Sequence, residues 1–181
     1  MKTGLAALAA VLCVTGAARA EVADQSPQGF EVRHVVSIAA PPAKVRAAML
    51  EPGRWWNPAH SWSGDARNLS IDLATGCFCE KLKDGFVRHM TVVYASDSAL
   101  RLSGALGPLQ FTGASGHMAF NLKAGAGPAT TVLTVTYDVG GYAKGGLAEQ
   151  WAKPVDGVIG EQVGRLKALL ETGKPDQAPG D

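Results

Sequence analysis

The sequence has few cysteines, few aromatic residues and no excess of either charge. Of its 181 residues three are cysteines and 7% are aromatic, while 17 Lys and Arg stand against 16 Asp and Glu. So few cysteines exclude a disulfide-dense scaffold, and the lack of a basic excess argues against a nucleic-acid partner. The hydrophobic content of 46% excludes a disordered chain, and the length is that of one domain.

The longest apolar run lies at the N-terminus. Lys2 precedes an apolar stretch over residues 4–18, and a small-x-small triplet that ends at Ala20 follows it. This pattern predicts a secretory signal peptide over residues 1–20 that is cut after Ala20. Because the run is shorter than the ~20 residues of a spanning helix, we expect no integral membrane span. We therefore expect a periplasmic or secreted protein. ATP and NAD(P)H are normally lacking there, which argues against a kinase or a dehydrogenase, and we predict no cofactor.

The remaining chain predicts one domain with unpacked ends. Residues 21–29 are polar, and residues 172–181 are rich in proline, glycine and charge. We expect the first segment to be a flexible leader and the second a disordered tail. The domain itself is expected to span residues 30–171.

Hydrophobic periodicity predicts an α+β order of elements. A half-buried strand over residues 30–39 precedes two short helical segments. Six more strand candidates, separated by short turns, are typical of an antiparallel meander; they cover residues 69–73, 77–82, 85–95, 99–104, 109–122 and 130–139. Residues 146–171 carry an apolar stripe at helical spacing, and Pro154 is expected to kink this helix or delay its start. We expect a curved antiparallel sheet of about seven strands wrapped on this long C-terminal helix, with a cavity between them.

Two stretches carry a resemblance to a known superfamily. PPAKVRAAMLEPGRWWNP follows the first strand, and GGLAEQWAKPVDGVIGEQVGRLKALL covers the last helix. In this order of elements the chain resembles the SRPBCC superfamily of START domains, birch-pollen-allergen-like proteins, polyketide cyclases and activators of the heat-shock chaperone ATPase. The stretches RWWNPAHSWSGDARNLS, CFCE, GALGPLQ and VGGY are similar to a polyketide-cyclase-like or uncharacterised bacterial branch. The resemblance implies a helix-grip fold with a hydrophobic ligand cavity, but no single reaction.

Three of the four tryptophans, Trp55, Trp56 and Trp62, lie in one segment with His60. This cluster is typical of an aromatic cavity mouth, in which His60 is a polar contact or an acid/base. The alternative is a loop that buried indoles hold on the sheet. Trp56, His60 and Trp62 are therefore candidate ligand-binding residues.

Cys77 and Cys79 are separated by a single residue. In a regular strand their positions are ~6.6 Å apart at ~3.3 Å per residue, which is too far for a disulfide. A bulge at Gly76 would allow a local disulfide, which an oxidising compartment favours. Two small buried thiols, or a zinc site completed by His60 or His89, are the alternatives; we predict no metal.

Four further residues are candidates for the cavity wall. His89 lies mid-strand on a face that either lines the cavity or meets solvent. Tyr137 is in register with apolar neighbours, so its ring is expected to point inward. Trp151 and Gln162 lie in the apolar stripe of the last helix and are expected to face the cavity.

The leading interpretation is an exported protein that holds a hydrophobic small molecule or lipid between the sheet and the C-terminal helix. The alternative is a cyclase or dehydratase-type enzyme, in which His60 or His89 is the acid/base with Tyr137 or Glu80 in support. A second alternative is a protein-interaction module like the chaperone ATPase activators. The sequence does not decide between binding and catalysis, and it leaves the oligomeric state open.

Overall fold

The structure, a computed structural model, describes residues 19–127 and 129–177. The signal peptide predicted over residues 1–20 therefore lies almost entirely outside the described residues. The same holds for residues 178–181 of the predicted tail.

The fold is α+β, with one open antiparallel sheet of eight strands and a long C-terminal helix. The sheet has the order β1-β2-β8-β7-β6-β5-β4-β3. This arrangement fits a helix-grip fold. The strands are β1 (Arg19–Ser26), β2 (Gly29–Ile38), β3 (Leu69–Asp72), β4 (Cys77–Leu82), β5 (Gly85–Ala95), β6 (Ala99–Ser103), β7 (Gly113–Ala124) and β8 (Thr131–Tyr142).

The strand count differs from the expected seven because of β1. This strand pairs antiparallel with β2, with Val22 opposite Val32 and Ser26 opposite Gly29. The prediction of an unpacked leader over residues 21–29 is therefore wrong. Because β1 is an edge strand, backbone hydrogen bonds to one neighbour hold it in place. Its mostly polar residues therefore show no alternation of apolar and polar side chains from which a strand could be predicted.

The helices lie close to their predicted positions. Helix α1 (Pro42–Met49) follows β2, and three short 3-10 turns then lead to β3. Helix α2 (Leu147–Thr172) contains Pro154 in its interior, so of the two expected effects of this proline the delayed start does not occur. It ends where Gly173 adopts a left-handed conformation with φ of 81°. No helix in the described part of the chain has the length and apolarity needed to cross a membrane.

The inner face of β2 packs against α2, and a histidine lies within this contact. Phe30, Val32, His34, Val36 and Ile38 are all buried on one face. Nε2 of His34 lies 3.0 Å from Oδ1 of Asp156 on α2. A Cβ atom at Gly160 would come within 2.7 Å of the His34 ring. Because Gly160 has no side chain, α2 leaves room for the imidazole of His34 at this position.

The segment before β7 differs from its prediction. Residues 109–122 were expected to be one strand, but Gly107–Phe111 forms a 3-10 helix and β7 begins at Gly113. Pro108 favours this turn because its fixed φ suits the first residues of a helix. The turn buries Leu109 and brings the preceding loop over the sheet.

Candidate functional site

A cavity of about 310 Å³ lies between the sheet and α2. Its volume is at the lower end of the range usual for small-molecule sites. The sheet contributes Leu69, Phe78, His89 and Tyr137, and the remaining walls come from α2, from the tryptophan-containing loop after α1 and from the loop before β7. The lining residues of α2 are Trp151, Pro154, Val155, Val158 and Ile159.

Glu80 on β4 is the central polar group beside this cavity. Its side chain is fully buried, with 0% exposure. It accepts hydrogen bonds from the backbone N–H groups of Trp62 at 3.1 Å and Ser63 at 2.6 Å. His89 Nε2 lies 2.9 Å from the same carboxylate. One side chain thus joins β4, β5 and the loop that carries Trp62.

A β-bulge turns His89 toward the interior. Phe78 pairs with Met90 and Cys79 pairs with Arg88, so His89 is the extra residue of β5 at this point. His89 and Met90 are consecutive, yet both are buried. The regular alternation of two faces expected for a strand over residues 85–95 is therefore interrupted here. A bulge breaks the period-2 alternation and re-aims a side chain, as bulges near functional sites often do.

The charges of this pair follow from burial and hydrogen bonding. Burial is the largest single influence on Glu80 and acts to raise its pKa, but the hydrogen bonds from Ser63, Trp62 and His89 together lower that pKa below 4.5. Burial lowers the pKa of His89 below 6.5, against the opposing influence of Glu80. At neutral pH Glu80 is therefore ionised and His89 is neutral, with its proton on Nε2 toward the carboxylate.

Tyr137 lines the cavity with its ring, as predicted, but its hydroxyl is already engaged. It accepts a hydrogen bond from the N–H of Leu106 at 3.0 Å and donates one to the carbonyl of Gly104 at 3.1 Å. Burial raises the pKa of Tyr137 to about 12. The hydroxyl therefore holds the loop before β7 over the cavity rather than presenting a free polar group.

The loop after α1 is attached to α2 through a second pair of histidine and glutamate. His60 Nε2 lies 2.9 Å from Oε2 of Glu161, and both side chains are more than a third exposed. The side-chain amide of Asn57 donates to the other oxygen of Glu161. The backbone N–H of Asn57 donates to Gln162 Oε1 at 2.7 Å. His60 thus lines the cavity at its exposed side.

The tryptophans of this loop have different surroundings. Trp55 and Trp56 are buried, and each indole N–H donates to a backbone carbonyl, that of Ala48 and that of His60 respectively. Trp62 is 42% exposed and packs edge-on against Phe111 with ring centroids 5.3 Å apart. Trp56 and Trp62 line the cavity, whereas Trp55 does not. The loop therefore has both the buried indoles and the aromatic mouth that the sequence offered as alternatives.

The two candidate residues on α2, Trp151 and Gln162, also have different surroundings. Trp151 lines the cavity. Gln162 is buried but lies outside this lining, against a separate small void beside Trp55 and Trp56. Its oxygen holds the backbone of Asn57, so its observed contact is with the loop.

Cys77 and Cys79 are joined by a disulfide. Their Cα atoms are 5.4 Å apart, closer than the ~6.6 Å of an unbroken strand. The β-bulge of this strand pair lies at His89 of β5, opposite Phe78 and Cys79, and not at Gly76 as expected from the sequence. Within the described ranges no three His, Cys, Asp or Glu side chains converge as a metal site.

Comparisons with known proteins agree on the architecture. A conserved protein of unknown function from Enterococcus faecalis, EF2215, has a TM-score of 0.56 and 19% identity over 84% of this chain and 76% of its own. CalU16 from Micromonospora echinospora has a TM-score of 0.50 and 13% identity over 90% and 83%. A protein from Arthrobacter aurescens has a TM-score of 0.51 and 16% identity over 83% and 92%. These likenesses establish the fold. No family model and no curated protein matches the chain.

Sequence reasoning missed part of this site. Glu161 was not singled out, and the loop of Leu106 to Leu109 was assigned in part to a strand. Glu80 was named only as a supporting group, although its carboxylate binds three donors. A glutamate within a strand next to buried residues was the available signal, since such a side chain is rarely buried without partners.

Proposed function

We propose that this protein binds a hydrophobic small molecule or lipid in the cavity between the sheet and α2. The observation that carries the proposal is the cavity of about 310 Å³, whose walls are mainly apolar and aromatic side chains. Cavities of this kind, with a few placed polar groups, are the usual form of small-molecule sites. His89, which is held by the buried Glu80, supplies one such polar group.

The aromatic side chains support an occupant with a flat or bulky apolar body. Trp56 and Phe78 meet edge-on with ring centroids 5.7 Å apart, and Phe78 lies 5.4 Å from the ring of His89. Trp62 and the half-buried Trp151 line further parts of the cavity. Such rings offer large apolar contact areas at fixed positions.

We further propose that the chain is exported and cut after Ala20. The basic start, the apolar run over residues 4–18 and the small residues before the cleavage position support this. Cleavage there leaves the part of β1 from Glu21 to Ser26 available to pair with β2. N-terminal sequencing of the protein recovered from the periplasm or the medium tests the site, and a chain that retains Met1 contradicts it.

Binding can be tested with an uncharged fluorescent probe, N-phenyl-1-naphthylamine. Val158 is half-buried and lines the cavity, so Val158→Trp is expected to fill the cavity and remove most of the probe signal. Lys153 lies on the same helix but is exposed and outside the lining, and Lys153→Trp is the matched control. Equal probe binding by wild type and Val158→Trp contradicts the proposal. Native mass spectrometry of the purified protein then identifies any molecule that copurifies.

A second candidate function is acid/base catalysis in the same cavity. The neutral His89 has its Nε2–H held by an ionised Glu80, which is how a carboxylate orients a histidine that acts as a base. Proton transfer to Nδ1 would leave an imidazolium that Glu80 stabilises. This is the specific observation that favours an enzyme of the cyclase or dehydratase type.

Kemp elimination of 5-nitrobenzisoxazole tests this candidate, because the reaction needs only a base in an apolar site. His89 would take the C3 proton, the N–O bond would break, and the oxygen would leave as a coloured phenolate. We expect His89→Phe to lose the enhancement and His117→Phe, the same change at an exposed histidine outside the cavity, to retain it. A wild-type rate equal to that of free imidazole argues against a catalytic role.

A further inference from the structure

Several polar atoms of the cavity wall are paired within the protein. The hydroxyl of Tyr137 accepts a hydrogen bond from the N–H of Leu106 and donates one to the carbonyl of Gly104. The indole N–H of Trp56 donates to a carbonyl, and the hydroxyl of Ser61 donates to that of Pro58. These three groups are therefore not free to bind a ligand that enters the cavity.

His89 Nδ1 differs from these groups because it is buried and has no partner. Over the described residues, four buried side-chain atoms lack a hydrogen-bond partner: His34 Nε2, His89 Nδ1, Asp156 Oδ1 and Gln162 Nε2. His34 Nε2 and Asp156 Oδ1 lie 3.0 Å from each other, and Gln162 lies outside the cavity lining. Of the four residues, only His89 lines the cavity. A buried polar group without a partner is costly and calls for an explanation.

The pairing of Nε2 fixes the chemistry of Nδ1. The Glu80 carboxylate already accepts two backbone N–H groups, so it is an acceptor toward His89 as well. Nε2 must therefore carry the proton, and Nδ1 of the neutral ring is left with a lone pair. A partner for Nδ1 has to be a hydrogen-bond donor.

We propose that the ligand is a hydrophobic phenol or alcohol whose hydroxyl donates a hydrogen bond to His89 Nδ1. This inference rests on the cavity binding proposed above and names the chemical class of the occupant. The apolar walls hold the body of the molecule, and His89 selects for the hydroxyl. We expect a carboxylate to bind poorly, because it has no hydrogen to donate to the lone pair of Nδ1. Its negative charge would also lie close to the ionised Glu80.

Isothermal titration calorimetry at pH 7.5 with three probes of one ring system tests this selection. The probes are 2-naphthol, which can donate a hydrogen bond, 2-methoxynaphthalene, which cannot, and 2-naphthoate, which is anionic. We expect wild type to bind 2-naphthol about tenfold more tightly than 2-methoxynaphthalene, the value of one net hydrogen bond. We expect 2-naphthoate to bind more weakly than either.

The variants separate this inference from general binding. His89→Phe keeps an aromatic ring but removes the acceptor, so 2-naphthol should lose its advantage while 2-methoxynaphthalene still binds. His117→Phe, at an exposed position outside the cavity, should keep the full preference. Equal binding of 2-naphthol and 2-methoxynaphthalene by wild type overturns the donor inference and leaves cavity binding standing. Failure of wild type to bind any of the probes overturns the cavity proposal itself.

A direct measurement covers the case in which His89→Phe does not fold. The ¹⁵N chemical shifts of His89 in wild-type protein are expected to show a protonated Nε2 and an unprotonated Nδ1. Addition of 2-naphthol should shift the Nδ1 resonance, whereas 2-methoxynaphthalene should not. A proton found on Nδ1 in the free protein refutes the inference regardless of how any variant behaves.

Discussion

Replacement of Glu80 by alanine is expected to destabilise the fold strongly. The change leaves three donors without their acceptor: the N–H groups of Trp62 and Ser63 and Nε2 of His89. A hydrogen bond to a charged group contributes roughly 1.5–3 kcal/mol. Part of the sum is offset, because the buried carboxylate itself no longer has to be desolvated and water can enter. We therefore expect Glu80→Ala to lower the free energy of unfolding by about 3–5 kcal/mol.

Glu161 provides a matched control, since it also binds a histidine at 2.9 Å and an N–H donor of a neighbouring loop residue. The difference is burial: Glu161 is 38% exposed and His60 is 36% exposed, against 0% for Glu80 and 4% for His89. Exposed ion pairs contribute at most ~1 kcal/mol. Glu161→Ala should therefore cost less than ~1 kcal/mol.

Urea denaturation followed by tryptophan fluorescence measures both variants. The midpoint of Glu80→Ala should fall clearly below that of wild type, at an unchanged dependence of the free energy on urea. The midpoint of Glu161→Ala should stay close to wild type. Equal losses in the two variants, or a loss below ~1 kcal/mol for Glu80→Ala, would refute the view of Glu80 as the buried centre of this site.

Two further predictions concern pH and the glycines of α2. Because the pKa values of His89 and Glu80 are both lowered in the folded state, the unfolded chain binds more protons in acid. The stabilisation by His89 should therefore be lost as pH falls below 6.5, and the stabilisation by Glu80 should be lost as pH falls below 4.5. Thermal melts of wild type and His89→Phe at a series of pH values test this. Melting temperatures that change in parallel for the two proteins between about pH 6.5 and 5 contradict it. Gly157→Ala, with open space around it, should stabilise the helix by up to ~1 kcal/mol. Gly160→Ala should instead destabilise the protein, because its Cβ meets the ring of His34, and a gain at both positions contradicts that contact.

The arrangement of the sheet and of α2 could be predicted because both depend on periodic burial. Most strands from β2 to β8 and the long helix carry apolar residues at regular spacing, and short turns between strands require antiparallel neighbours. Edge strand β1 could not be found in this way. Its place is set by backbone pairing with β2, which the polar residues before Gly29 do not report.

The site could be predicted only in part, because its central contacts are not periodic. His89 was identified as a candidate, but its orientation depends on the bulge opposite Phe78 and Cys79, which involves the register of two strands. The role of Glu80 depends on a loop that is distant in sequence and binds through backbone N–H groups. Side-chain identities in that loop carry no information about such a contact.

The way in which Glu80 holds the loop has a consequence for how this cavity can diversify. The carboxylate binds the backbone N–H of Trp62, and it makes no demand on the side chain at that position. The indole at the mouth can therefore be exchanged for another residue without loss of the anchor, whereas Glu80 and His89 must change together. For the binding function proposed above, chains descended from this one could alter which molecules enter while they keep the same polar group inside the cavity.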